Sequence, residues 1–240
     1  MNLQLFASPE ELAEQASELI ADRFRNAGEF LICTATGNST TLTYKKLAEK
    51  KKSFPTDHLK VIKLDEWGGI PLDYPQTCET YLWNHFLRPL HIQEEQFIGF
   101  NSDSDNPTEE CLRVKERLDQ EGPIDLCILG IGLNGHVAFN EPANWLQPHC
   151  HVARLSEKAL SHPMARDMGA RPTYGLTLGM ADILNSKEIL LLISGLSKAE
   201  ITRDFMQRKI TTELPASFLW LHPQVHCLCD REAFSLSVAF

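Results

Sequence analysis

His136 and Glu141 stand five residues apart in Gly130-Ile-Gly-Leu-Asn-Gly-His-Val-Ala-Phe-Asn-Glu-Pro142, on what reads as one short loop. An imidazole and a carboxylate at that separation can form an acid–base pair in which the carboxylate orients the ring, although the same pair often serves only as a structural hydrogen bond. Asp65-Glu66, in VIKLDEW, offers a second kind of chemistry. A carboxylate at the carboxyl end of a strand, beside Trp67, can be desolvated enough to act as a general base near neutral pH. One of the two is the candidate base, and the other reads as a structural carboxylate or helix cap.

Two further stretches have the chemistry of anion binding. Thr36-Gly37-Asn38-Ser39-Thr40 falls between a strand and a helix, where free N–H groups and the helix dipole favour a negative charge. It lacks the Gly-Lys-Ser/Thr ending of a nucleotide-triphosphate loop, so a single sugar phosphate fits better. Ser194-Gly195-Leu196-Ser197-Lys198 repeats the pattern and puts a lysine in the first turn of a helix. There it opposes the helix dipole, which a bound anion would explain.

Other readings of these residues are weaker. Gly130-x-Gly132-x-x-Gly135 has the spacing of a dinucleotide fingerprint, but Pro142 limits any following helix to about one turn, and only Glu157 lies near the expected ribose-binding distance. His222, His226, Cys227 and Cys229 resemble a zinc cluster but lack a second matched ligand pair, and Cys227 and Cys229 would share one face of a strand as core residues. No metal site is expected.

The elements that must hold these residues alternate. Ser8-Pro9-Glu10-Glu11 starts a helix with Leu12, Ala16, Leu19, Ile20 and Phe24 on one face and Gly28 as its stop. Strands are expected at 30–35, 59–65, 125–131 and 188–194, with helices near 39–51, 76–88, 107–121 and 196–208 and two short closing strands in FLWLH and VHCLCD. Near-continuous apolar strands alternating with helices predict an α/β fold: a Rossmann-like open, mainly parallel sheet with helices on both faces. The four chemical segments then converge beyond the strands' carboxyl ends, where ligands of such sheets sit.

With 240 residues, 43% of them hydrophobic, the chain is expected to form a single domain over residues 1–240. The net charge of −9 and the lack of a basic stripe argue against nucleic acid. No apolar run long enough to span a membrane and no leader-like N-terminus is evident, so a soluble, cytoplasmic protein is expected. Seven scattered cysteines read as reduced core residues.

Taken together, TATGNSTTLTY (34–44), KLDEWGGIP (63–71), DLCILGIGLNGHVAFNEP (125–142), YGLTLGMADIL (174–184) and LISGLSKAEI (192–201) resemble the glucosamine-6-phosphate deaminase/isomerase family over nearly the whole chain. The resemblance implies conversion of glucosamine 6-phosphate, or its galacto epimer, to a ketose 6-phosphate with release of ammonia, and no metal or nucleotide cofactor. It implies that His136 opens the sugar ring with Asn134 and Glu141 as partners, and that Asp65 carries the C2 proton to C1. It places the phosphate on Thr36, Gly37, Asn38 and Ser39, with Lys198 as counter-charge. A homo-oligomer is left open.

The sequence departs from the family pattern in three places. Asn134 stands where longer members carry aspartate. The phosphate-binding arginine has no clear equivalent, and SHPMARDMGARPTYG offers His162, Arg166 and Arg171 instead, with a segment closer to galactosamine-6-phosphate enzymes. HCHVAR, with His151 and Ala153, and the end at Phe240 argue against amino-sugar allostery. The alternatives are a 6-phosphogluconolactonase, against which Phe139-Asn140-Glu141-Pro142 argues, and a non-catalytic sugar-phosphate sensor.

Overall fold

Seven parallel strands form the main sheet of the computed structural model, which describes residues 1–160, 163–166 and 169–237. In chain order the strands are β1 (Asn2–Phe6), β2 (Phe30–Thr34), β3 (Leu59–Lys63), β4 (Asp65–Gly68), β5 (Phe97–Ile98), β6 (Leu126–Leu129), β7 (His151–Ala153), β8 (Tyr174–Thr177), β9 (Glu188–Ile193) and β10 (Val225–Asp230). The main sheet runs β1-β10-β9-β6-β2-β3-β5, and β4-β8-β7 make a smaller antiparallel sheet. The helices are α1 (Pro9–Asn26), α2 (Asn38–Glu49), α3 (Cys78–Leu82), α4 (Pro107–Glu121), α5 (Glu157–Leu160), α6 (Pro163–Arg166), α7 (Met180–Leu184), α8 (Ala199–Met206) and α9 (Arg231–Phe234).

The sheet is covered on both faces because its strands are apolar on both. Phe30 and Ile32 of β2 pack in one core with Leu12, Ile20 and Phe24 of α1 and Tyr44 and Leu47 of α2. Leu31 and Cys33, on the opposite face, join a second core with Val114 of α4 and Phe205 of α8. Each such fully buried Leu, Ile or Phe contributes about 1.5–3 kcal/mol. All seven cysteines are free thiols and six of them are buried.

The direction of strand addition reverses between β2 and β6. From β2 the chain adds β3 and β5 on one side, and from β6 it adds β9 and β10 on the other, where β1 from the start of the sequence forms the edge. Such a switch point leaves a crevice beyond the carboxyl ends of the two central strands. The segments that follow β2 and β6 therefore face each other there.

Several local expectations are corrected. Pro215–Leu221 is a 3-10 helix rather than a strand: Pro215 has no N–H to give a sheet, and Trp220 Nε1 is drawn to the Phe205 carbonyl at 2.9 Å. The strand expected at 59–65 ends at Lys63, and Asp65 opens β4 of the second sheet. The helix expected at 76–88 is α3 followed by a π-helical turn, Trp83–Leu87. That expected at 196–208 begins as a 3-10 turn, Leu196–Lys198, before α8. α1 starts at Ser8 as expected, its hydroxyl accepting from Glu11 N at 3.2 Å, but stops at Ala27 without using Gly28.

Candidate active site

A cavity of about 250 Å³ opens in the crevice. Its lining includes Thr36, Gly37, Asn38 and Ser39 after β2, Asp65 of β4, Asn134 and His136 after β6, and Ser194 and Lys198 after β9. Of the residues given catalytic or phosphate-binding roles, all but Glu141 reach it, and Glu141 stands directly behind His136.

At one end, α2 begins with an open N-terminus. Gly37, at φ 122°, takes a backbone turn that an L side chain would strain, and its side of the helix carries no side-chain cap. The Gly37 carbonyl is fixed by Thr40 Oγ1 at 2.8 Å, Thr41 Oγ1 at 3.0 Å and the Tyr81 hydroxyl at 3.2 Å. Opposite, Gly195 turns at φ 89° and donates its N–H to Asp230 Oδ2 at 2.8 Å. This brings Ser194 Oγ within 3.1 Å of Ser39 Oγ. Lys198 Nζ donates to the Ile131 carbonyl at 2.6 Å, and burial pulls its ammonium down to about 8. Two turns and one cation thus make a cradle for a phosphate-sized anion.

At the other end lies the histidine loop. Gly132 N donates to the His136 carbonyl at 2.9 Å, and Gly135, at φ 86°, closes the turn. The ring packs so closely on Gly132 that a Cβ there would sit 2.3 Å from both Cδ2 and Nε2. This close approach, rather than pyrophosphate binding, accounts for the second glycine of the fingerprint. His136 Nδ1 is 3.0 Å from Glu141 Oε1, and Asn134 Nδ2 donates to Glu141 Oε2 at 2.6 Å. Burial raises the Glu141 carboxyl, but its bonds to His136, Asn134 and Ser156 outweigh that and hold it below its usual value. Asn140 Nδ2 ties the loop to itself and to the residue after β8, donating to the carbonyls of Val137 and Leu178 at 3.0 and 2.9 Å.

Between the two ends, Asp65 sits opposite Thr177 in the register of β4 and β8. Leu64, just before it, donates to Thr34 O of the large sheet and accepts from the N–H of Leu178, the residue after β8. Burial, then the charge of Glu66, partly offset by Lys63, push the Asp65 carboxyl up to about 7. Glu66 is the structural member of the pair: it is fully buried and accepts from Trp67 N and Cys78 N at 2.8 and 2.9 Å.

His162 lies outside the described residues. Arg166 and Arg171 are exposed and do not line the cavity, and Arg171 reaches Glu157 at 3.5 Å. Among the described residues, Lys198 is the cation of the lining. His222 bonds to Ser186 O at 2.7 Å, and Cys227 and Cys229 are buried in core as their strand spacing suggested. Sequence reasoning missed Ser156 and Asp230. Ser156 is readable as a cap for α5, donated to by Ala159 N at 3.1 Å, but nothing local signals its bond to Glu141.

The chain matches the family described as glucosamine-6-phosphate isomerases/6-phosphogluconolactonase over residues 7–227. It is 43% identical to an Escherichia coli (strain K12) protein named "Putative deaminase AgaI", covering 91% of this chain and 88% of that one. It is 35% identical to a glucosamine-6-phosphate deaminase of Bacillus pumilus (strain SAFR-032), covering 98% of this chain and all of the relative. A solved monomeric glucosamine-6-phosphate deaminase superposes with a TM-score of 0.94 at 34% identity, over 98% of this chain and 100% of that chain. A 6-phosphogluconolactonase from Thermotoga maritima shares the fold alone, with a TM-score of 0.76 at 19% identity over 95% of this chain and 99% of that chain. Sequence motifs, sheet order and relatives agree: the chain belongs to the glucosamine-6-phosphate isomerase/6-phosphogluconolactonase family.

Proposed function

We propose that the protein is an amino-sugar-6-phosphate deaminase/isomerase, acting on glucosamine 6-phosphate or its galacto epimer. The observation that carries this reading is one cavity lined together by an acid–base histidine, a carboxylate raised to about 7 and an anion cradle. The phosphate rests on the amides and hydroxyls of Thr36 to Ser39 with Lys198 as counter-charge. That anchor holds the sugar's far end in register with both proton-transfer groups. His136, oriented by Glu141 and Asn134, moves a proton between O1 and O5 and opens the ring. Asp65 takes the C2 proton and returns it to C1, which shifts the C=O level of oxidation from C1 to C2 and leaves an imine. Water then hydrolyses the imine to the ketose 6-phosphate and ammonia. Each step is a proton transfer or a hydrolysis, so no cofactor enters the scheme. We place this activity in the cytoplasm, on one domain spanning residues 1–240.

The test is ammonia release from glucosamine 6-phosphate and galactosamine 6-phosphate in parallel, with 6-phosphogluconolactone as a third substrate. Release from either amino sugar supports the reading and identifies the C4 epimer. Silence on both with cleavage of the lactone would replace it with a lactonase, and binding of amino-sugar phosphate without turnover would replace it with a sensor.

A further inference from the structure

Lys63, the last residue of β3, is fully buried, yet it lies two residues before Asp65 in a strand end otherwise made of apolar side chains. All three of its ammonium protons are used: Nζ donates to Glu66 Oε2 at 2.8 Å, Glu79 Oε2 at 2.7 Å and the Phe100 carbonyl at 3.0 Å. Glu66 is equally saturated. Besides Lys63 it accepts from Trp67 N, Cys78 N and Glu79 N, all within 2.9 Å. Burial works against the Lys63 charge, and the two carboxylates outweigh it and hold the ammonium above its usual value.

A buried hydrophobic residue would fill this space without the cost of desolvating three charges, so stability alone does not account for the cluster. Its formal charges sum to one negative, and two of its members flank Asp65 in the chain, Glu66 next to it and Lys63 two residues before, with charges that act on the Asp65 carboxyl in opposite directions.

We propose that Lys63, clamped between Glu66 and Glu79, is a positioning residue that sets the local charge at Asp65 and so determines the pH at which Asp65 becomes a base. The inference rests on the role given to Asp65 above. Other groups facing Asp65 are the thiols of Cys78 on α3 and Cys33 on β2, and His136 and Lys198 across the cavity. On β8 its partner Thr177 carries no charge. The clamp differs from these in joining β3, β4 and α3, so its charge is held at fixed distance whatever occupies the cavity.

The test is a carbon-detected NMR titration of the Asp65 carboxyl, assigned by its loss in Asp65→Asn, together with the pH profile of kcat/KM for ammonia release. Lys63→Met removes the positive charge and should move both the titration and the acidic limb up by roughly one pH unit or more. Glu79→Gln keeps an oxygen for Lys63 to bond and removes a negative charge, so it should move both down. Because Glu79 is 20% exposed, this second variant tests the idea even if Lys63→Met does not fold. Opposite shifts support the inference. A titration unmoved in Glu79→Gln, or moved the same way in both variants, would overturn it. The titration needs no turnover, so a wild type that releases no ammonia would refute the functional reading while leaving this result intact.

Discussion

Asp65 holds its proton to about 7 because it is partly desolvated in the cavity wall with Glu66 beside it, whereas Lys198 loses its charge near 8 because burial is unopposed. With the roles proposed for them, Asp65 as an ionised base and Lys198 as a charged anion partner coexist in the free enzyme only between those values. The profile of kcat/KM should therefore rise through about 7, fall through about 8 and have a narrow optimum, and an optimum below 6 would contradict these assignments. The same carboxyl weakens the fold. The unfolded chain loses this proton near 3.8 while the folded protein keeps it to about 7, so the native state loses stability as pH rises across that window and no further above it. Asp65→Asn should thus abolish ammonia release, retain binding of the sugar phosphate, and raise Tm by a few °C at pH 8 but little at pH 4. At this scale the sequence was legible where chemistry is local: His136, Asn134 and Glu141 lie within eight residues. It was silent on Ser156 and Asp230, whose contacts cross from other elements.

The elements show why one half of the site was readable and the other was not. α2 and the turn after β2 follow from a strand, a glycine and a run of hydroxyl residues, all contiguous. β4 is four residues long, and its partner β8 is more than a hundred positions away, so no local pattern marks Asp65–Gly68 as a strand of a second sheet. Asp65, the proposed base, consequently sits at the start of a short antiparallel strand instead of the end of a parallel one. The turn holding His136 depends on the close approach of Gly132. Gly132→Ala should push the ring off its bond to Glu141 and lower kcat by about 10² or more, with little change in Tm. Wild-type turnover in that variant would show that the ring's resting position is immaterial.

Across the whole molecule, the alternation of strands and helices and the doubly covered sheet were legible because they are repeated many times in the chain. The edge was not. β1 is a five-residue strand with mixed burial, and it finds its place only beside β10, where Asn2 lies opposite His226 and Phe6 opposite Asp230. Without residues 1–7, β10 would present a bare row of N–H and C=O groups, so that variant should associate in light scattering while keeping KM near the wild-type value. A collapse of substrate binding would instead show that β1 supports Asp230 and the Gly195 turn. The pairing also sets an order of events during synthesis. β1 is made before the other strands of its sheet and its partner β10 after them, so β1 spends that interval as an unclaimed ribbon.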